Sequence, residues 1–126
     1  IIQALHFLNR DDNPTTVAEK YSNQQYHSNL HQALYSACGS PRIIELCAAL
    51  DFQSNRYRHI FYEAMYTSKQ HWINHSKIVE AALSRKSQAA CKLLEQHIHE
   101  TAHFLMHEVS EDEWKIRLSS LNINTL

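Results

Sequence analysis

Residues 34–41 read Leu-Tyr-Ser-Ala-Cys-Gly-Ser-Pro, and they contain the clearest signal of a helix end in the chain. Gly39 can adopt the left-handed conformation that closes a helix at its C-terminus. Ser40 can cap a following helix, and the fixed φ angle of Pro41 suits a first helical turn. One helix therefore ends here and another begins, with no strand between them.

Similar signals recur along the rest of the chain. Two capping boxes, in which a hydroxyl and a carboxylate or amide satisfy each other's backbone donors, are expected to open helices. They are Thr16-Val-Ala-Glu19 and Thr67-Ser-Lys-Gln70, and hydroxyl caps are expected at Ser87 and Ser110. One glycine and two prolines in 126 residues leave little from which to build hairpin turns. The sequence therefore predicts an all-α fold, an antiparallel bundle of about six helices.

The domain organisation follows from the ends of the pattern. Residues 1–8 read as the end of a helix, so we expect the bundle to be truncated at its N-terminus. Residues 1–110 are expected to form one helical domain, and residues 111–126 a short C-terminal helix or tail.

The helix that Pro41 opens is expected to run to about Met65. Its apolar residues recur at helical spacing, which predicts that they face the core. They are Ile43, Cys47, Leu50, Tyr57, Phe61 and Ala64.

Composition and charge exclude several classes of function. The net charge is −1, and the basic residues alternate with acidic ones, so no Lys/Arg stripe is present to neutralise nucleic-acid phosphates. No apolar run approaches the roughly 20 residues of a membrane span, and no signal-peptide pattern opens the chain. The three cysteines have no Cys-x-x-Cys spacing, which favours reduced thiols in a cytoplasmic protein over a zinc knuckle.

Three histidines, His27, His75 and His97, fall on the apolar faces of three separate predicted helices. A neutral imidazole needs partners for its ring nitrogens once water is excluded. Asn23 lies one helical turn before His27, so the two side chains could bind the same cation. Bundle proteins build metal sites from facing helices in this way, and three imidazoles suit Zn or Ni better than Ca or Mg.

Other interpretations of the histidines stay open, because ten of them offer several pairings. Any single inward histidine can be a hydrogen-bonded core residue. His71 with His75 and His27 with His31 also have helical i,i+4 spacing. A further row with this spacing points away from the apolar stripe and is expected to be a solvated face; it consists of His99, His103 and His107.

Five stretches together resemble the FCD domain, the C-terminal effector-binding domain of the FadR subgroup of GntR-type bacterial transcription regulators. The resemblance covers residues 20–107, and the 22-residue gap between His75 and His97 is the gap that the family uses. The stretches are Asn23-Gln-Gln-Tyr-His27, Leu34 to Pro41, Gln53-Ser-Asn-Arg-Tyr-Arg58, Asn74 to Leu83 and Leu94-Glu-Gln-His97.

Carried over residue by residue, the resemblance implies that Asn23, His27, His75 and His97 hold a divalent metal, most readily Zn or Ni. The family usually has Asp where this chain has Asn23, and Glu where it has Asn74. An amide oxygen can ligate but brings no charge, so the ion's 2+ charge would be uncompensated. We therefore expect weaker metal binding without ligand, and positive coupling between metal and an anionic effector.

The resemblance also implies a small organic acid as the effector. Arginine forks bind carboxylates in two-pronged fashion, so Arg58 and Arg56 are candidate effector ligands, and Tyr57 and Tyr26 could line the pocket. A surface role for the arginines and a core role for the tyrosines compete with this interpretation. Relatives read DNA through an N-terminal winged helix-turn-helix, absent from this chain, and usually form homodimers.

Two rival functions remain at this point. A metal held by three histidines could activate water, as in a metallohydrolase, but Glu63, Glu80 and Glu95 are not placed one turn from a ligand on the inward stripe, so no general base is evident. The second rival is a helical interaction domain in which the histidines are core residues. The sequence favours a sensor, which needs no catalysis.

Overall fold

The computed structural model describes residues 1–3, 16–61 and 69–120, and this part of the chain contains five bounded α-helices and no strand. The predicted all-α fold is confirmed. A single π-helical turn, Phe104–Glu108, separates the last two helices. The helices are α1 (Val17–Tyr35), α2 (Pro41–Ile60), α3 (Lys69–Leu83), α4 (Ser87–His103) and α5 (Glu111–Ser120).

The start of α1 and the α1–α2 junction form as the sequence predicts. The Thr16 hydroxyl accepts from the Glu19 backbone N–H at 3.2 Å, and the Glu19 carboxylate accepts from the Thr16 N–H at 2.9 Å. Gly39 has a φ of +71°, the left-handed conformation expected at the end of a helix. The Ser40 hydroxyl accepts from the Ile43 N–H at 3.5 Å, which caps α2.

The α3–α4 junction corrects one prediction. The N-cap of α4 is Lys86, with no side-chain cap, and Ser87 is the first helical residue rather than the cap. The preceding helix closes with Arg85 at a φ of +56°. The Lys86 N–H donates to the Ala81 carbonyl at 2.9 Å and the Arg85 N–H to the Ala82 carbonyl at 3.0 Å, a Schellman closure. Because this closure occupies residues 85 and 86, α4 starts directly after it.

Two other helix-start predictions have different outcomes. Ser110 caps α5, since its hydroxyl accepts from the Glu113 N–H at 3.2 Å. The capping box Thr67-Ser-Lys-Gln70 begins outside the described residues, as does most of the predicted helix over residues 1–8.

One of two buried apolar clusters lies where α1 packs near α3 and α4, and the other is built on Phe61 and Val109. Leu30 of α1 and Val79 of α3 are buried against each other, with Tyr26 and Trp72 packed on them. Burial of such side chains contributes about 1.5–3 kcal/mol each to stability. These contacts fix α1 against α3, and Ile78 is buried beside them on α3.

The prediction of which α2 residues face the core is wrong for most of the helix. Ile43, Leu50 and Tyr57 are exposed, Cys47 is half-buried, and only Phe61 of this set is buried. Ala64 and the predicted continuation to Met65 lie outside the described residues. Helical periodicity identifies an apolar face, but it does not show what covers that face.

The C-terminal helix α5 packs back onto the end of α2. The ring of Trp114 meets Phe61 edge-on with centroids 4.4 Å apart, and its indole N–H donates to the Leu105 carbonyl at 3.3 Å. Arg117 donates to the Ile60 carbonyl at 3.0 Å. The domain boundary predicted at residue 110 stays a prediction. Helix α5 begins just after it and contacts the preceding helices.

No helix in the described ranges is both long and apolar enough to span a membrane.

We expect Leu30→Ala to lower the free energy of unfolding by about 3 kcal/mol, because Leu30 is 0% exposed and the cavity left would be surrounded by fixed helices. Ile98→Ala is the matched control, since Ile98 is 56% exposed on α4, and it should cost less than about 1 kcal/mol. Urea unfolding followed by circular dichroism measures both. Equal losses in the two variants would contradict the assigned core.

Candidate metal centre

Three helices bring His27, His75 and His97 to one place in the core. His27 lies on α1, His75 on α3 and His97 on α4, and their exposed fractions are 1%, 1% and 6%. The ring centroids of His75 and His97 are 4.3 Å apart, and those of His27 and His75 are 4.8 Å apart. The structure therefore brings together the three inward histidines that periodicity singles out. Their role as metal ligands stays a prediction.

A fourth histidine, His31, completes the cluster. It is half-buried, one turn after His27 on α1. Its Nε2 lies 3.1 Å from Nε2 of His27 and 3.4 Å from Nε2 of His75. Its ring is nearly parallel to that of His97, with an interplanar angle of 18° and centroids 5.4 Å apart. We call these four residues, His27, His31, His75 and His97, the histidine cluster.

The histidine cluster fits the needs of a divalent metal. One ligand atom from each residue lies within 4.8 Å of all the others. Tetrahedral Zn–N bonds of about 2.0–2.1 Å place their nitrogens about 3.3–3.4 Å apart, so two of the observed separations already match. Imidazole nitrogen suits Zn, Ni and Cu, and is a poor match for Mg or Ca. The four histidines could therefore hold a metal ion, and its identity stays a prediction.

Asn23, the other predicted ligand, is half-buried one turn before His27. Its amide oxygen as a metal ligand stays a prediction. The residue that sequence reasoning left out of the ligand set is His31, although its i,i+4 spacing from His27 was the available signal. That spacing alone does not distinguish His31 from the other histidine pairs, because only the packing of α1 shows which of them point inward.

The burial of the site affects the protonation of His97. Burial, and next the nearby positive charge of Arg58, lower the pKa of His97 from 6.5 to about 4. The imidazole of His97 is therefore neutral at physiological pH, the form that a metal ligand must have.

Arg58 is buried on α2 and is held by its own helix. Its Nη2 forms an ion pair with Asp51 Oδ1 at 2.6 Å and donates to Asn55 Oδ1 at 2.6 Å. Its Nη1 donates to the Ser54 hydroxyl at 3.1 Å. Asn55 in turn donates to the Ser28 hydroxyl of α1 at 3.0 Å, so this network joins the two helices. This network holds the guanidinium in place, and its positive charge is the second cause of the lowered pKa of His97.

The other predicted effector ligands lie in different surroundings. Arg56 is exposed and lies about 200° around the α2 axis from Arg58, so the two arginines face different sides. Tyr57 is exposed, with its ring 6.0 Å from Trp114. Tyr26 is half-buried against the Leu30 core. Effector binding by these residues and by Arg58 stays a prediction.

Among the described His, Cys, Asp and Glu residues, the group able to hold a metal consists of histidines alone. Glu80 and Glu95 are exposed, and Glu63 lies outside the described ranges. The row His99, His103 and His107 is exposed as expected for a solvated face, with the last two rings 4.7 Å apart.

In the metal-free protein, stability should fall as the pH drops from about 6.5 to about 4. Because the folded pKa of His97 is depressed, the unfolded chain binds a proton in this window that the folded protein does not. The loss attributable to His97 is about 3 kcal/mol at most. Urea unfolding across this range measures it, and His97→Gln should reduce the slope. An NMR titration placing His97 near 6.5 would contradict the assignment.

Comparison of the sequence with known protein families agrees with the all-α architecture. The profile of the FCD domain family matches residues 2–100. Curated protein sequences gave no match, and solved structures gave none either. The family match spans most of the chain and contains all four members of the histidine cluster. Together with the all-α fold, it establishes that this chain belongs to the FCD domain family.

Proposed function

We propose that this protein is the sensing domain of a GntR-type transcription regulator and recognises a small organic acid beside a bound divalent metal, Zn or Ni. The FCD family is regulatory, which supports a sensor over an enzyme. The observation behind the proposal is the histidine cluster, because a family match alone does not supply a metal-binding donor set. The four imidazoles, which come from three helices, supply such a donor set.

The charges around the cluster favour an anionic effector. All four donors are neutral when they ligate, so a divalent ion would keep its full positive charge and attract a carboxylate into its coordination sphere. Arg58 is ion-paired with Asp51, but its positive charge still acts on the cluster, since it contributes to the lowered pKa of His97. In a buried site, charges of one sign attract an anion more strongly than they would in water.

Ligand binding would act through the arrangement of the helices. α1 supplies two members of the cluster, α3 one and α4 one. A ligand shifts a conformational equilibrium only by its differential affinity for the two arrangements. In an intact cytoplasmic regulator, that shift would reach DNA through a winged helix-turn-helix outside this chain.

A homodimer remains part of the proposal. Its support is the exposed apolar side of α2, where Ile43, Leu46 and Leu50 follow one another at helical spacing.

A metal titration with and without carboxylates tests the proposed function. We expect Zn to bind the protein, and His75→Ala to weaken binding at least about 100-fold because it removes a buried ligand. His99→Ala, an exposed histidine of α4, is the matched control and should bind like wild type. A thermal-shift screen of mono- and dicarboxylates in the presence of Zn should identify acids that raise the melting temperature.

Several results would contradict the sensor. If neither Zn nor Ni binds, the proposed metal is contradicted. If His75→Ala and His99→Ala change Zn affinity equally, the proposed site is contradicted. Hydrolysis of generic esters or phosphates by the Zn-loaded protein, lost in His75→Ala, would favour the metallohydrolase instead.

Asn23→Asp should tighten Zn binding about 10- to 100-fold and reduce the extra stabilisation given by a carboxylate, because the new charge compensates the ion. Asn29→Asp makes the same substitution at an exposed position of α1, about 200° from His27 around the axis. It should leave both quantities unchanged. Isothermal titration calorimetry with Zn, with and without the best acid, measures them. Identical behaviour of the two variants would exclude Asn23 from the site.

A further inference from the structure

We propose that His31 is the fourth nitrogen ligand of the metal and the one that an incoming carboxylate replaces. This inference rests on the proposed function, since it assumes that the histidine cluster binds a divalent ion. It assigns different tasks to the four histidines: His27, His75 and His97 anchor the ion, whereas His31 closes the site until an anion arrives.

The first step of the argument is the position of one atom. Nε2 of His31 lies between two others, 3.1 Å from Nε2 of His27 and 3.4 Å from Nε2 of His75. Both separations are within a few tenths of an ångström of the roughly 3.3–3.4 Å edge of a tetrahedral ZnN4 site. Among the described His, Cys, Asp and Glu side chains, only these four histidines form such a group.

The second step concerns what hydrogen bonding can do for these atoms. Nε2 of a neutral imidazole has either one proton or one lone pair, so it can serve only one of two such close neighbours. A hydrogen bond therefore links Nε2 of His31 to one of these two neighbours at a time. A cation among the three nitrogens would use all three lone pairs at once.

The third step is the difference in burial. His27, His75 and His97 are buried in the core, whereas His31 is half-buried. The buried rings are confined by packing on every side, so releasing one of them would disturb the core. The His31 ring can rotate towards solvent with far less disturbance. An anion arriving from solvent would therefore meet His31 before the other three ligands.

The fourth step is the change of charge. When the His31 imidazole leaves and a carboxylate oxygen takes its position, one neutral ligand is exchanged for one anionic ligand. The charge at the site falls from 2+ to 1+, which is favourable in a buried environment that also holds Arg58. No proton needs to be bound or released, because both ligands exchange in their unprotonated forms.

Cobalt(II) is the probe for the fourth ligand, because its visible absorption is intense in tetrahedral sites and weak in five- or six-coordinate ones. Co-loaded wild type should show an intense spectrum, and in His31→Ala, where water can take the fourth position, the bands should shift in energy because an oxygen donor replaces a nitrogen donor. His31→Ala should also weaken Zn binding by about 10- to 100-fold, and added imidazole should restore the spectrum. The matched control is His103→Ala, an exposed histidine of α4 outside the cluster, which should match wild type.

Acetate is the probe for the exchange. It should bind the Co-loaded His31→Ala variant at least about tenfold more tightly than Co-loaded wild type, because no imidazole has to be displaced. X-ray absorption of Zn-loaded wild type, which needs no substitution, should count four imidazoles without acetate and three with saturating acetate.

The outcomes separate this inference from the proposed function. If wild type binds Zn and His31→Ala keeps the wild-type cobalt spectrum and Zn affinity, His31 is not a ligand and the inference fails while the sensor stands. Four imidazoles with saturating acetate would overturn the exchange step. If wild type binds no metal at all, the proposed function fails first.

Discussion

Four imidazole rings stand where a helical bundle of this size would ordinarily place aliphatic side chains, and the arrangement of α1, α3 and α4 has to accommodate them. Each ring brings two polar nitrogens into a region from which water is largely excluded. Leu30 and Val79 fill the adjoining space, so the apolar core and the polar cluster are neighbours on the same helices. Part of the bundle's interior is therefore polar, and the apolar contacts that stabilise it lie around the histidine cluster.

The position of the cluster depends on local features that are far from it in the chain. The capping box at Thr16 sets the start of α1, and the Schellman closure at Arg85 lets α4 begin immediately after α3. The close α3–α4 connection holds His75 and His97 with ring centroids 4.3 Å apart. Packing of α1 then adds two imidazoles on successive turns of one helix.

Much of this could be predicted from the sequence. The helix boundaries around Gly39 follow from cap chemistry, and the inward faces of α1, α3 and α4 follow from periodicity. Ser87 failed as a cap because the residues before it were already used to close α3. The apolar residues of α2 failed as a core stripe because periodicity does not show what covers a face, and Ile43 and Leu50 are exposed.

The candidate site shows the same division. His27, His75 and His97 could be selected because each lies on the apolar stripe of its helix. His31 was visible only as one of several i,i+4 pairs, since its inclusion depends on how α1 rotates against α3 and α4. The ion pair of Arg58 with Asp51, seven residues earlier on α2, likewise needs the three-dimensional course of two long side chains.

The hydrogen bond from Asn55 to Ser28 gives α1 a second role besides holding two imidazoles of the histidine cluster. Ser28 directly follows His27, and Asn55 is also bound to Arg58, so a rotation of α1 about its axis would strain this contact. A displacement of one helix by a fraction of an ångström could thus be transmitted sideways to α2, whose outer surface is rich in exposed apolar side chains. The side chains of Ser28, Asn55 and Arg58 would then connect the histidine cluster to the exposed surface of α2.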